Sequence, residues 1–399
     1  MQLDANADRL LRALQALVET DSVNPSLVPG AAGEAEIADV TTDLLGDAGF
    51  TVTRYGPTAR PSVVGRLPGG NGSTLMLNAH YDTVGVDGME APFDPLLERG
   101  KLYGRGAYDM KGALAACIEA GAILNDAGVG LGGDLLVAAV ADEEYGSLGT
   151  ADLLERRARG ELTFEAAIVT EPTALALCVA HRGFTWLEVT TRGRAAHGSH
   201  YREGVDANLH MGRVLGRLEA LLAQLQAGPG HPLLGPPSLH AALVRGGVGI
   251  STYSPECRLQ IERRTIPPET REGVEDEIAA ILDALAKEDP SFDAEWRTFF
   301  HREPFETSPE APIARCLSAA AQRLLGTPPP VIGDSPWMDA ALLASAGVDT
   351  VVMGPAGAGA HAAVEWVDVD SCLRLAEILA YTAVNRSLVS QSSRARSSS

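Results

Sequence analysis

With 399 residues, the chain is long enough to bury a sizeable core, and its length alone suggests two or three domains. Its formal net charge of -20 argues against a nucleic-acid partner, because such binding depends on Lys and Arg neutralising phosphates. No apolar run reaches the roughly 18 residues of a membrane span, and the acidic N-terminus does not resemble a signal peptide. We therefore expect a cytoplasmic globular protein that binds neither nucleic acid nor membranes.

The first 170 residues alternate apolar strands with helices. Apolar residues recur with helical spacing at 10–18 and 37–45, before the first strand. The Gly-rich run 69–72 predicts a hairpin between the second and third strands. The alternation of strands and helices predicts an α/β fold, with a mostly parallel sheet covered by helices on both faces. The predicted elements are strands Phe50–Tyr55, Ser62–Leu67, Leu75–Ala79, Leu135–Val140 and Ala166–Thr170, and helices Lys111–Leu124 and Leu148–Arg159.

From Phe184 the order of elements changes to β-α-β-β-α-β, which is the ferredoxin-like order. A complete unit of this kind is plausible as an inserted domain of its own, at 182–301. Its sheet would have exposed edge strands, so we expect a homodimer through this domain. The predicted elements are strand Phe184–Thr191, helix Val205–Leu225, strands Leu239–Arg245 and Arg258–Arg264, helix Thr270–Ala286 and strand Phe292–Phe299.

After the inserted domain the α/β alternation resumes, so 1–181 and 302–389 form two parts of one domain. The Ser/Arg-rich tail, 390–399, is predicted to be disordered. Five cysteines lie far apart without a C-x-x-C pair, which favours buried thiols over disulfides or a zinc knuckle. The predicted C-terminal elements are helices Pro312–Leu325 and Trp337–Ala346, strand Thr350–Met353 and helix Asp370–Arg386.

Ionisable residues follow the strands of the α/β part. Ligands of open α/β sheets bind at the carboxyl ends of the strands, so these residues should converge. Taken singly, each has a simpler explanation, such as a helix cap or a solvated turn. Together, two histidines with crowded carboxylates and no cysteine favour divalent cations, with zinc, cobalt and manganese all suited. The residues are His80 and Asp82, Asp109, the run Asp142-Glu143-Glu144, Glu171 and His361.

Several motifs in order resemble the M20 family of metallo-amidohydrolases and exopeptidases, which includes acetylornithine deacetylase, succinyl-diaminopimelate desuccinylase, aminoacylase-1 and carboxypeptidase G2. The resemblance spans roughly Leu10 to Leu388. Its motifs are His80-x-Asp82-x-Val84, Gly104-Arg105-Gly106-x-x-Asp109-Met110-Lys111-Gly112, Asp142-Glu143-Glu144-x-Gly146-Ser147, Thr170-Glu171-Pro172, Ala196-His197-Gly198-Ser199 and His361-x-x-x-Glu365.

The resemblance implies two divalent cations per subunit, most simply zinc. His80 and Glu171 would bind one cation, Glu144 and His361 would bind the other, and Asp109 would bridge both. Two cations so placed can share a water and polarise a scissile carbonyl.

The resemblance also implies roles for neighbouring residues. Asp82 would hold the His80 ring, and Glu143 would act as the general base that takes a proton from the water and returns it to the leaving amine. The peptide bond after Asp109 would be cis.

Two residues of the inserted domain, which the resemblance makes a lid, are expected to bind substrate. His197 would reach the partner subunit's site and stabilise the oxyanion, and Arg264 would bind the substrate carboxylate. Arg263 should face the opposite side of its strand. Thr252 stands where many family members have Asn, which leaves the acyl and amino-acid preference open.

The leading hypothesis is hydrolysis of the amide bond of an N-acyl amino acid or of a small peptide with a free carboxylate. Alternatives are an aminopeptidase or dipeptidase of the same superfamily and a non-catalytic metal-binding relative. A dinucleotide-binding protein is a further alternative, since Gly357-x-Gly359-x-x-Ala362 fits the weak G-x-G-x-x-A pattern.

Overall fold

The computed structural model describes residues 3–397. The chain divides into two compact units. The first comprises the residues up to Val179, Thr307–Ile332 and the residues from Met338 onward, and the second comprises Ala180–Glu306 and Gly333–Trp337.

The helices and strands in chain order are α1 (Ala7–Glu19), α2 (Ala35–Asp47), β1 (Thr51–Tyr55), β2 (Ser62–Leu67), β3 (Leu75–His80), β4 (Leu96–Glu98), β5 (Lys101–Tyr103), a π-helical turn (Ala107–Lys111), α3 (Gly112–Asp126), β6 (Leu135–Val140), α4 (Leu148–Ala158), β7 (Ala166–Val169), β8 (Leu177–His181), β9 (Gly183–Arg192), α5 (Ala207–Ala227), β10 (Ser238–Gly246), β11 (Glu256–Thr265), α6 (Arg271–Glu288), β12 (Asp293–Arg302), β13 (Phe305–Glu306), α7 (Pro312–Leu325), β14 (Val331–Asp334), α8 (Ala340–Ser345), β15 (Asp349–Val352), β16 (Gly357–Ala358), β17 (Trp366–Asp368) and α9 (Val369–Ser397).

The large sheet of the first unit runs in the order β1-β2-β6-β3-β7-β15-β8. Its centre is parallel, because β3 pairs in parallel with β6 and β7, and β15 pairs in parallel with β7. Antiparallel pairs flank this centre: β1 with β2, β2 with β6, and β15 with β8. Strands β3, β6 and β7 are buried along their whole length, as expected for strands covered on both faces. The predicted α/β fold with a mixed sheet is confirmed, and the parallel pairs lie at the centre of that sheet.

The predicted hairpin between β2 and β3 is wrong. Strand β6 lies between them, pairing antiparallel with β2 and parallel with β3. The glycine run 69–72 instead lies against 131–133, where the N–H of Gly72 donates to the carbonyl of Gly132 at 2.6 Å. A Cβ on Gly69 would lie 2.1 Å from the carbonyl oxygen of Gly133, so this backbone crossing requires glycine.

Helix α3 occupies the centre of the first unit. All its residues from Gly112 to Leu124 are buried, and it packs against α1 and α9. Gly121 lets the ring of Phe50 pack closely against α3, since a Cβ there would lie 2.0 Å from that ring. An apolar helix without a polar face is what a position inside the core requires.

The second unit has a four-stranded antiparallel sheet in the order β10-β11-β9-β12. That order belongs to the β-α-β-β-α-β arrangement that the sequence predicts. Residues Leu187 and Val189 of β9 alternate with outward-facing neighbours and pack in one core with residues of α5 and α6. Strand β10 lies at the edge of this sheet.

A small sheet in the order β16-β17-β5-β4 belongs to the first unit and was not foreseen. The stretch that fits the dinucleotide-binding pattern begins in β16, continues as a turn and leads into β17. A phosphate-binding helix does not follow the glycines, so the dinucleotide hypothesis loses its structural basis.

Helix α9 is described to Ser397, and the last two residues lie outside the described range; the disorder of 390–399 stays a prediction. None of the helices within 3–397 combines the length and apolar character that crossing a membrane requires. The cysteines all lie in this range and form no disulfide there; Cys316 is half-buried and the others are buried.

Candidate metal centre

The parallel strands of the large sheet bring the predicted ligands to one edge. Strand β3 ends at His80, which pairs with Val140 at the end of β6, directly before the turn that carries Glu143 and Glu144. Strand β7 ends one residue before Thr170-Glu171. Because parallel strands share a carboxyl edge, residues far apart in sequence meet there.

Asp109 lies between the two predicted histidines. Its Oδ1 is 3.1 Å from Nε2 of His80, and its Oδ2 is 3.4 Å from Nε2 of His361. The same nitrogen of His361 is 3.0 Å from Oε2 of Glu144, whereas Nε2 of His80 is 3.6 Å from Oε1 of Glu171. One carboxylate therefore faces two separate sets of ligand atoms, one through each oxygen.

Glu143 is also close to these groups. Ligand atoms of His80, Glu143 and Glu171 all lie within 4.8 Å of one another, and so do those of His80, Asp109 and Glu144. The first group includes the residue that the resemblance makes the general base. A base placed against a ligand set can reach a water held by that set.

The ring of His80 is oriented by Asp82, through its main-chain carbonyl. Nδ1 of His80 donates to the main-chain carbonyl of Asp82 at 2.9 Å, whereas the Asp82 carboxylate is 3.7 Å from that nitrogen. A carbonyl only accepts, so Nδ1 carries the proton and Nε2 is left to face the centre.

The carboxylate of Asp82 holds the turn that carries two other predicted residues. Its oxygens accept the main-chain N–H groups of Glu143 and Glu144 at 3.1 and 3.2 Å, and the side chain of Asn24 at 2.8 Å. Asp82 is fully buried, so these bonds replace the water that a charged group would otherwise require.

The loop that carries Asp109 is tied down by Glu365, a residue quoted in the family motif without a role. Its Oε1 accepts the N–H groups of Tyr108 and Asp109 at 2.9 and 3.0 Å. Its Oε2 accepts from Gly106 at 3.0 Å and from Nη1 of Arg105 at 2.6 Å. The peptide bond between Asp109 and Met110 is cis, as the resemblance implies.

The carboxylates of the centre have perturbed affinities for protons. Burial, with repulsion from Glu171, raises the pKa of Glu143 well above its usual value. Burial likewise raises the pKa of Glu171, where the carboxylates of Asp109 and Glu144 add to it although His80 opposes it. Crowded acids of this kind store charge repulsion that a cation would relieve.

The histidines are perturbed in the opposite sense. Hydrogen bonds to Asp109 and Glu144 raise the pKa of His361 to about 10. Burial lowers the pKa of His80, but the carboxylates of Glu171 and Asp109 outweigh burial and raise it well above normal. Burial alone would raise the pKa of Asp109, but hydrogen bonds from both histidines outweigh it and hold that pKa below the ordinary range.

These residues fit divalent cations. Imidazole nitrogens and carboxylate oxygens converge from five positions, and Oε1 of Glu144 is buried without a hydrogen-bond partner among the described residues. A buried oxygen of this kind is costly unless something compensates it. A cation supplies that compensation, and the donor set suits zinc, cobalt or manganese.

Two predicted substrate residues belong to the second unit. His197 is exposed on the loop after β9, with Nδ1 2.8 Å from Oγ of Ser199. Arg264 lies on β11, where it donates to the carbonyl of Ser335 and stacks 5.4 Å from the ring centre of Phe184. Arg263 faces the other side of the strand, as predicted, and pairs with carboxylates at 269 and 277.

Sequence reasoning missed the polar residues that support the ligands. Asn24 and Arg60 lie in loops that carry no motif quoted above, and their contacts join positions far apart in sequence. Asp339, directly before α8, is fully buried, and burial raises its pKa to about 6. A buried acid in a Trp-Met-Asp stretch is a weak signal, because one sequence does not distinguish it from a helix cap.

Comparisons with known proteins assign the chain to a family. Residues 76–385 match the family described as Peptidase family M20/M25/M40. The acetylornithine deacetylase of Myxococcus xanthus is 31% identical over 324 residues, which cover 79% of this chain and 81% of that protein. The N-formyl-4-amino-5-aminomethyl-2-methylpyrimidine deformylase of Bacillus subtilis (strain 168) is 27% identical over 370 residues, covering 84% and 85% respectively. The crystal structure of the aminopeptidase PepT from Bacillus cereus matches with a TM-score of 0.77 at 20% identity, covering 96% of this chain and 99% of that one.

The chain therefore belongs to peptidase family M20, which confirms the resemblance drawn from its motifs. It is an enzyme, a metal-dependent hydrolase of that family. The match to PepT supports the same two-domain α/β fold.

Proposed function

We propose that the chain hydrolyses the amide bond of N-acyl amino acids, or of small peptides with a free carboxylate, with two divalent cations. The observation that carries this proposal is Asp109, whose oxygens face His80 at 3.1 Å and His361 at 3.4 Å. A carboxylate between two ligand sets suits a pair of cations better than a single one. The likeness to a protein named acetylornithine deacetylase supports the substrate class.

In this proposal the five ligands divide into two sets. His80 and Glu171 hold one cation, Glu144 and His361 hold the other, and Asp109 contributes to both. Two contacts support this division: Nε2 of His361 lies 3.0 Å from Oε2 of Glu144, and Nε2 of His80 lies 3.6 Å from Oε1 of Glu171. Zinc is our first choice, and cobalt or manganese fit the same nitrogen and oxygen donors. When bound, such cations supply Lewis acidity toward the scissile carbonyl and lower the pKa of water.

Glu143 is the general base. The turn that carries Glu143 is held by Asp82, whose carboxylate accepts the main-chain N–H of Glu143 at 3.1 Å. From this position Glu143 accepts a proton from the attacking water and delivers it to the nitrogen of the leaving amine. A raised pKa suits both transfers, because the carboxylate must bind the proton and then release it.

The substrate residues come from the second unit. We propose that Arg264 binds the substrate carboxylate, for which a fork-shaped guanidinium is suited, and that His197 donates to the developing oxyanion. The side chain of Arg264 is 23% exposed, so it is still accessible to a ligand. Thr252 forms an isolated β-bridge with His197.

A homodimer through 182–301 is part of the proposal. Strand β10 lies at the sheet edge and exposes apolar side chains, among them Leu243 and Val244, and the following loop exposes Val248 and Ile250. Exposed edges with apolar residues are a common route to pairing between chains. Light scattering tests it: a dimer is expected at micromolar concentration, whereas a monomer alone would argue against both the dimer and a role of His197 in trans.

The experiment that tests the proposed reaction is a substrate panel with cation-loaded enzyme. N-acetyl, N-formyl and N-succinyl amino acids are compared with dipeptides and with N-acyl amino acid amides, which lack the carboxylate. We expect turnover of acyl amino acids that depends on the carboxylate. Turnover confined to dipeptides would favour the aminopeptidase or dipeptidase alternative, and bound cations without any turnover would favour the non-catalytic relative.

A further inference from the structure

Behind the turn 142–144 lies a group of polar side chains that we call the rear cluster, formed by Asn24, Glu34, Arg60 and Asp142. Asn24 and Glu34 are fully buried, and Asp142 is 1% exposed. Arg60 is 16% exposed and supplies the only cation of the four. Buried charges require partners, so the contacts inside this cluster should be specific.

Arg60 bonds to every other member of the rear cluster. Its Nη2 donates to Oδ1 of Asp142 at 2.7 Å and to Oδ1 of Asn24 at 3.0 Å. Its Nε donates to Oε2 of Glu34 at 2.9 Å. A planar guanidinium with several donors can serve these acceptors at once, which an ammonium cannot do.

Asn24 connects the rear cluster to the metal centre. Its Nδ2 donates to Oδ2 of Asp82 at 2.8 Å and to Oδ1 of Asp142 at 3.0 Å. Its Oδ1 accepts from Arg60 and from the N–H of Ser26 at 2.8 Å. Because the oxygen faces donors and the nitrogen faces acceptors, only one orientation of the amide satisfies all four bonds.

The turn that carries Glu143 and Glu144 depends on these contacts. Asp142 has a φ of 67°, a left-handed conformation that a residue with a side chain adopts at a cost. Its carboxylate is held by Arg60 and Asn24, and the next two N–H groups are held by Asp82. Contacts on both sides of the turn thus hold its backbone.

We propose that Arg60 is a positioning residue of the metal centre, which acts through Asn24 and Asp142 to hold Asp82 and the turn carrying Glu143 and Glu144. This inference rests on the proposed function only in that the centre binds cations. Without Arg60, the buried carboxylates of Glu34 and Asp142 would lose their guanidinium partner, and Asn24, which donates to Asp82, would lose one of the two donors to its amide oxygen.

A cavity next to Arg60 allows its role to be tested by chemical rescue. The cavity has a volume of about 270 Å³ and is lined by Arg60, Gly56, Pro57, Ser62 and Leu148 among others. Truncation of Arg60 would extend this space toward the rear cluster. A guanidinium ion is small enough to enter from there and take the place of the lost side chain.

The test uses Arg60→Ala with Co²⁺, whose visible absorption reports ligand geometry without turnover. We expect Co²⁺ affinity to fall by about 10- to 100-fold, as for other residues that orient metal ligands. We expect millimolar guanidinium chloride to restore both affinity and spectrum, while urea, which is planar but uncharged, restores neither. Arg54→Ala is the matched control, because Arg54 lies on the preceding strand and pairs with Asp39 at the surface.

Wild-type Co²⁺ affinity and spectrum in Arg60→Ala would overturn the inference, and so would equal recovery with urea. If that variant does not fold, Arg60→Lys decides: it should bind Co²⁺ more weakly than the wild type with an altered spectrum, and unchanged binding would overturn the inference. These measurements need no substrate. A wild type that binds Co²⁺ and hydrolyses nothing would therefore contradict the proposed reaction and leave the result on Arg60 intact.

Discussion

The main-chain N–H of Asp109 donates to the carboxylate of Glu365 at 3.0 Å. Asp109 lies between His80 and His361, and Glu365 follows His361 by four positions. Glu365 also pairs with Arg105 at 2.6 Å, and Nη2 of Arg105 donates to the carbonyl of Ala362 at 3.1 Å. The loop of Asp109 and the loop of His361 are thereby joined. A change at Glu365 should therefore affect both ligand sets.

Glu365→Gln tests this link. The amide nitrogen of Gln would face donors, and Arg105, which is 2% exposed, would lose its buried partner. We expect the free energy of unfolding to fall by about 3–5 kcal/mol and cation affinity to fall by about 10- to 100-fold. Urea denaturation and Co²⁺ titration measure the two effects. Glu98→Gln, which alters an exposed carboxylate on β4, should change neither.

Glu143→Gln separates the base from the ligands. The variant keeps the shape of the side chain and cannot accept the proton, so we expect kcat to fall by about 100- to 10,000-fold. Metal content, measured by mass spectrometry of the purified protein, should stay close to that of the wild type. Glu155→Gln on α4, at an exposed site, is the control. Loss of one cation from Glu143→Gln would identify Glu143 as a ligand instead.

Removal of the cations should make stability depend on pH. In the chelated protein His361 has a pKa near 10 against an ordinary value of 6.5, because Asp109 and Glu144 hold its proton. The folded state then binds more protons at His361 than the unfolded state between these values. The stability that this histidine contributes is therefore fully present below about pH 6.5 and is lost as pH rises toward 10. Thermal melts of chelated protein should show this decline, and added zinc should raise the melting temperature more at pH 8 than at pH 6. A flat profile in chelator would contradict the charge distribution described here.

Arg264→Lys should weaken substrate binding selectively. Lysine keeps the charge but loses the fork that matches a carboxylate. We expect kcat/KM for N-acyl amino acids to fall about tenfold or more, chiefly through KM. Activity on the corresponding acyl amino acid amides should change little. Arg258→Lys on the same strand, which pairs with the neighbouring Glu256, should behave as wild type.

Gly133→Ala tests the backbone crossing that replaces the predicted hairpin. A Cβ on Gly133 would lie 2.3 Å from the carbonyl oxygen of Ser73, a contact that the backbone must move to relieve. We expect the free energy of unfolding to fall by about 1–3 kcal/mol, in the range of other overpacked sites. At Gly130 nothing lies within 4 Å of the added Cβ, so Gly130→Ala should be near neutral in the same denaturation experiment.

The error over that hairpin shows what local patterns leave out. Glycines between two apolar strands predict a turn, but β6, some 60 residues further along the chain, pairs with both strands and separates them. The glycines are required by contact with 131–133, which no local pattern reveals. By contrast, buried strands such as β3 and the helical stripe of α7 follow directly from apolar periodicity, and their bounds were predicted closely.

The candidate site likewise has residues that the sequence predicts and residues that it does not. The acidic and imidazole residues were predicted to converge chiefly because parallel strands share a carboxyl edge. The structure brings together His80, Asp109, Glu144, Glu171 and His361. Their supports were not predicted. Asn24 and Arg60 act through bonds between loops, and Glu365 acts through main-chain N–H groups whose positions only the folded loop defines.

Anomalous diffraction at the zinc edge from crystals of the zinc-loaded protein tests the central claim most directly. The account predicts two peaks per subunit on either side of the Asp109 carboxylate, one in contact with His80 and Glu171 and the other with Glu144 and His361. A map with no peak at this centre, or with a single peak that Asp109 does not touch, would contradict it.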